Sequence, residues 1–84
     1  MEGYCSICHK WKTLERHHVF NGAFRNKSEI YGAVVEICRD CHYDLHHRRP
    51  ADYKWLKREW RDRLMALNGW TEEDFIREFG RAEW

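Results

Sequence analysis

Two cysteine pairs dominate the chemistry available to this 84-residue chain: Cys5-Ser6-Ile7-Cys8 and Cys38-Arg39-Asp40-Cys41, with 29 residues between Cys8 and Cys38. A C-x2-C turn presents two sulfurs in fixed geometry, and two such turns supply the four soft ligands that tetrahedral zinc takes. Cys5, Cys8, Cys38 and Cys41 are therefore expected to hold one structural Zn2+. Disulfides are the lesser reading, because they belong to oxidising compartments. Each pair is also followed by a histidine, His9 or His42, which is the attachment pattern of c-type haem. Two haems would demand export and axial partners, and would leave the His17-His18 pair without a purpose. A finger with two cysteines and two histidines fits less well, since eight residues separate Cys8 from His17 where about twelve are usual.

The second constellation is His17 and His18 with His42 and His46. If the cysteines saturate one zinc, these imidazoles are left over, and a set able to converge at a strand end and on one helix face suits a second metal with open coordination positions. His9 and His47 are expected at the surface.

The elements that must position these groups read as an α+β fold. Leu14 to Phe20 alternates and runs into Asn21-Gly22, predicting a strand and turn with His17 and His18 at the strand's end. Residues 21–33 predict a loop, with Ser28 capping a single helical turn through Tyr31. Val34 to Ile37 is β-branched and short, a second strand that runs into Cys38. Asp40 is an acceptable N-cap for about two helical turns through His47, on which His42 and His46 share a face. Pro50 suits the first turn of a further helix, where Tyr53, Leu56, Trp60, Leu64 and Leu67 recur at helical spacing. Asn68-Gly69 stops it. Thr71 to Asp74 opens a last helix that Gly80 ends, with Trp70, Phe75, Ile76, Phe79 and Trp84 as its apolar face, packing on the preceding helix or on the zinc unit. The chain thus reads as a single domain, 1–84, that is rich in ligands over 1–49 and helical over 50–84.

At this length a core usually needs a staple, and metal is the one on offer. Lys and Arg number 15 against 14 Asp and Glu, a net charge of +1, which excludes both a polybasic tail and an acidic solvating segment. The charge is uneven: residues 1–63 carry 13 basic and 9 acidic side chains, residues 64–84 carry 2 and 5, predicting a basic front face. The longest apolar stretch, Gly32 to Val35, falls far short of the roughly 20 residues a membrane helix needs. The opening residues lack the features of a signal peptide, so a reducing, cytoplasmic setting is expected.

The segment Leu14-Glu15-Arg16-His17-His18-Val19-Phe20, followed by Tyr31-Gly32 and by Val34-Val35-Glu36-Ile37-Cys38-Arg39-Asp40-Cys41-His42, resembles the small zinc-containing HNH endonucleases of phages and prophages. The stretch Trp70 to Arg81 is similar to the tail that many of those proteins carry. The resemblance implies a ββα-metal core, two antiparallel strands and a helix around one divalent ion, braced by zinc knuckles. It implies that His18 is the general base and that His17 and His42 are metal ligands. His46 matches the colicin-type form, in which the helix gives two histidines. The middle Asn of the pattern would fall near Gly32-Ala33, and neither residue can do its work. Asn21 or Asn26 from the loop, a backbone carbonyl or another partner must then hold His18.

The activity so implied is metal-dependent hydrolysis of DNA phosphodiester bonds, leaving 5′-phosphate and 3′-hydroxyl ends, by nicking or low-specificity cutting. Mg, Mn, Ni, Co and Zn are not distinguished as the catalytic ion, although an all-imidazole set suits the last four better than Mg. Arg16, Arg25, Lys27, Arg39, Arg48 and Arg49 surround the site in sequence and are the candidate DNA contacts. Phage packaging or recombination proteins are the candidate partners. The competing expectation is a non-catalytic zinc-knuckle module that contacts nucleic acid or a protein.

Overall fold

In the computed structural model, which describes residues Met1–Trp84, one antiparallel sheet contains β1 (Glu2–Tyr4), β2 (Trp11–His18) and β3 (Val34–Cys38) in that order. Four α-helices complete an α+β fold: α1 (Arg25–Tyr31), α2 (Arg39–Tyr43), α3 (Lys54–Asn68) and α4 (Glu72–Phe79). β2 starts at Trp11 instead of Leu14 because β1 pairs with it, Glu2 opposite Thr13 and Tyr4 opposite Trp11. On its other edge β2 meets β3 with Leu14 opposite Cys38, His17 opposite Val35 and His18 opposite Val34. Alternation along β2 turns Glu15 and His17 to one face and Arg16 and His18 to the other.

Ser28 does not cap the helix between the strands. It lies inside α1 with 0% exposure, where its Oγ accepts from the Phe20 N–H at 3.1 Å and donates to the Phe20 carbonyl at 2.6 Å. Phe20 has already left the sheet, so its buried backbone groups need side-chain partners, and Ser28 supplies both. Nor does Asp40 cap α2. The Cys38 sulfur takes that place, accepting from the Cys41 N–H at 3.5 Å, because the knuckle turns its amides towards sulfur. Asp40 sits in the first turn and pairs with Lys12 at 3.2 Å.

After Tyr43 the helix widens into a π turn, Asp44–Arg48, closed by the Arg49 N–H on the Asp44 carbonyl at 2.8 Å. Pro50 opens a 3-10 turn through Tyr53, and α3 proper begins at Lys54.

The main core crosses Pro50. Val19, Phe20 and Ala33 from the ligand-rich half pack with Leu56, Leu64, Phe75, Phe79 and Ala82 from the helical half. The Phe20 ring stands 4.6 Å from Phe79 and 5.6 Å from Phe75, so α4 docks mainly on the end of the β2 segment. This explains two departures from the apolar stripes. Leu67 is 74% exposed, and Met65, two residues earlier on α3, packs against the core instead. Ile76 is also exposed, lying about 100° around α4 from the buried Phe75. A capping box between Thr71 and Asp74 starts α4. Gly80 ends it at φ +82°, where any Cβ would come within 2.9 Å of the Phe24 ring. No helix is long and apolar enough to cross a membrane.

Candidate metal centres

The β1–β2 turn and the β3–α2 junction bring Cys5, Cys8, Cys38 and Cys41 together, their sulfurs all within 4.8 Å of one another. Cys8 and Cys38 are 3.9 Å apart, close to the ~3.8 Å edge of a tetrahedron with metal–sulfur bonds of about 2.3 Å. No disulfide joins them. The N–H groups of Ile7, Cys8 and Cys38 aim at the Cys5 sulfur from 3.3–3.4 Å. Burial raises the Cys5 thiol, but the amides of Cys38, Cys8 and Ile7 outweigh it and bring it down to about 6. Burial, then hydrogen bonds to the other three sulfurs, push Cys41 up. A Cys5 thiolate beside a Cys41 thiol that keeps its proton is a pair in which a bound cation would take the proton's place. Four converging sulfurs with amides turned inward suit a structural zinc.

The second cluster is built from three elements. His17 is buried at the end of β2, His42 lies on α2 and His46 on the π turn. Their ring centroids form a nearly equilateral triangle of 5.2, 5.2 and 4.9 Å, with ligating nitrogens within 4.8 Å of one another. The π turn sets the offset of His46 from His42, a distortion found often at functional sites. Burial first, then the neighbouring imidazoles and Lys57, push His17 down to about 4. Burial, then His42, His47 and Lys57, lower His46. Both rings are therefore neutral at neutral pH and present lone pairs. His42 Nδ1 meets Glu15 Oε1 at 2.9 Å. A carboxylate only accepts, so the proton is on Nδ1 and Nε2 is left for a metal. Three converging imidazoles with room for further ligands fit a divalent transition ion.

His18 sits on the opposite face of β2. Its Nε2–H donates to Glu29 Oε2 at 2.7 Å, and Arg16 Nη2 donates to Glu29 Oε1 at 2.5 Å. The hydrogen bonds from Arg16 and then His18 hold the Glu29 carboxyl below its usual range, which leaves the His18 lone pair on Nδ1. Neither Asn21 nor Asn26 bonds to His18; the partner is Glu29, from α1. Sequence reasoning missed it. Glu15 was within reach of that reasoning, since alternation places it beside His17 on one face.

The two faces meet where β2 ends. A cleft of about 300 Å³ is lined there by Arg16, Arg25 and all four histidines, His17, His18, His42 and His46, with no carboxylate and no apolar side chain. Arg39 lines a shallower depression beside His42. The other expected contacts are engaged elsewhere: Lys27 with Glu78 at 3.2 Å, Arg48 with Asp44 at 3.6 Å, and Arg49 with Asp44 at 3.2 Å. His9 and His47 are exposed, as expected. Compared with family models, curated proteins and solved structures, the chain matches none.

Proposed function

We propose that the chain is a metal-dependent endonuclease of the HNH kind acting on DNA, with β2, β3 and α2 as its ββα-metal core. The observation that carries this reading is the shared cleft: the three-imidazole triangle opens on the same space as His18, whose Nε2 is tied to a carboxylate. Neither a structural zinc nor a zinc-knuckle module needs that arrangement.

Hydrolysis of a phosphodiester requires a deprotonated water in line with the leaving oxygen, and relief of the charge that gathers on the phosphoryl oxygens. His18 Nδ1 takes the proton, and Glu29 balances the imidazolium that results. His17, His42 and His46 would hold the divalent ion, which when bound supplies Lewis-acid stabilisation of the phosphate and the departing 3′ oxygen. Glu15 keeps His42 in the ligating tautomer. Arg25, which enters no ion pair, faces the cleft as a phosphate contact, and Arg16 lines it while also holding Glu29; such contacts position the strand without reading its sequence. The products are 5′-phosphate and 3′-hydroxyl ends.

The test is cleavage of supercoiled plasmid by wild type beside His18→Ala, after chelation and separate re-addition of Mg, Mn, Ni, Co or Zn. Nicked or linear product that needs the ion and disappears with His18→Ala is expected. Intact plasmid under every ion, from folded protein that retains its cysteine-bound zinc, would sink the reading and favour the non-catalytic binding module.

A further inference from the structure

A second cavity, of about 280 Å³, adjoins the histidine triangle. It shares His17, His46 and Asn21 with the cleft but none of the cleft's arginines. Its character also differs. Val19, Leu45, Leu56, Tyr53 and Trp84 give it apolar and aromatic walls, and the only charges on its lining are Lys54 and Lys57.

Lys57 is half-buried, and neither it nor Lys54 takes part in any of the chain's ion pairs. Burial, then the positive charges of Arg81 and Lys54, hold Lys57 below the ordinary lysine range. Its own charge reaches His17 and His46, so it stands within Coulombic range of the triangle. Lys57 Nζ lies 5.9 Å from the centre of the Trp84 ring, a weak cation–π contact at that distance, and a partly desolvated cation with no nearer counter-charge is costly until an anion joins it. A nucleic-acid strand carries such an anion on every unit, next to a flat apolar base. A cavity with lysines and an aromatic wall offers partners to both.

We propose that this cavity is a nucleotide subsite, which takes one unpaired nucleotide adjoining the scissile bond, with its phosphate on Lys57 and its base against the wall of Tyr53 and Trp84. The proposal rests on the endonuclease reading and deepens it by naming the substrate class. At about 280 Å³ the cavity is on the scale of one nucleotide rather than of a base pair, which favours a strand that is single or locally opened. The preferred substrate is DNA with an unpaired segment at the cut.

Binding can be separated from turnover in the full-length His18→Ala chain, by fluorescence anisotropy of a short labelled single strand and of the same strand in a duplex. The single strand is expected to bind about fivefold or more tightly than the duplex, through base stacking and phosphate contact. Lys57→Gln should remove most of that preference and lower the salt slope on the single strand by about 0.7, the loss of one phosphate contact. Lys57→Arg should keep both, and Lys10→Gln, at an exposed loop position, should change neither. Circular dichroism and zinc content show whether each variant is folded. A duplex bound as tightly as the single strand overturns the subsite, and so does an equal loss from Lys57→Gln and Lys10→Gln. Plasmid cleavage by the wild type separates the two proposals. Cutting without single-strand preference leaves a nuclease that lacks this subsite, whereas Lys57-dependent preference without cutting keeps the subsite and removes the nuclease.

Discussion

Ser28→Ala tests how the site is braced, independently of what the site does. Ser28 is completely enclosed, and its hydroxyl both donates to and accepts from the backbone of Phe20. The substitution leaves a buried N–H and a buried C=O without these partners. Each orphaned neutral group costs about 1–3 kcal/mol, partly offset because the hydroxyl no longer has to be desolvated. A net loss of roughly 3 kcal/mol follows, a large share of the ~4–13 kcal/mol that holds a domain of this size together. Urea unfolding followed by circular dichroism should show it as a lower midpoint at unchanged slope. In a thermal melt it corresponds to roughly 12–24 °C. Ser6→Ala, at an exposed position, serves as control and should stay within about 0.5 kcal/mol. A Ser28→Ala protein as stable as that control would refute the clamp. It would also weaken the account of His18, because Phe20 follows the histidine pair and Glu29 follows Ser28, so the clamp sets how α1 presents its carboxylate.

Three further outcomes are expected. Glu29→Gln keeps the size of the acceptor but removes its charge, so kcat for plasmid cleavage should fall about tenfold with KM and metal content little changed; an unaltered kcat would mean that Glu29 does not orient His18. For protein with zinc on its cysteines but no ion on its histidines, burial of neutral His17 makes the unfolded chain bind a proton that the native chain lacks between pH 6.5 and about 4. Stability is then fully present above pH 6.5 and falls as pH drops through that window, by up to about 3 kcal/mol. Denaturant midpoints that stay flat from pH 7 to about 4.5 would contradict this. Finally, Cys8→Ser, or a chelator strong enough to strip the thiolates, should unfold the first half of the chain, since metal binding by such a small unit is part of its folding free energy. Native-like dichroism with no zinc bound would show that the knuckles are not the brace.

What the sequence made legible was chemistry carried by residue type and short spacing. The two cysteine pairs, a strand with His17 and His18 near its end, the strand from Val34 and the His42–His46 spacing can all be read within a few residues of themselves, although that strand stops at His18 and not at Phe20. The partners of those groups are a different matter. Glu29 lies on a helix whose docking against β2 depends on Ser28 gripping Phe20, and no local pattern distinguishes it from Glu36. β1 has three residues, too few for alternation to declare itself, and it exists because β2 offers it an open edge. The stripe through Leu67 is genuine as a helical pattern, but its exposure was decided by where α4 goes, and α4 follows the aromatic contact with Phe20. Long-range docking thus fixed what local periodicity left open.

The same docking explains why the two ligand sets belong together. Cys38 closes β3 and caps α2, Cys41 lies in the next turn, and His42 follows it directly. Fixing those sulfurs therefore fixes the first turn of α2 against β2, where Glu15 takes the His42 ring, and the π turn then carries His46 to the triangle. With zinc on the cysteines, an ion arriving at the histidines would meet a site already built, and would pay less ordering entropy than on a loose helix. Linkage would make the benefit mutual: whatever factor a zinc on the cysteines lent to the second ion, the second ion would return to the zinc. The difference between them lies in kinetics and access. The cysteines are mostly buried and would hold an ion in a closed shell, whereas the imidazoles face a cleft that would leave a bound ion open positions for exchange and for the proposed substrate.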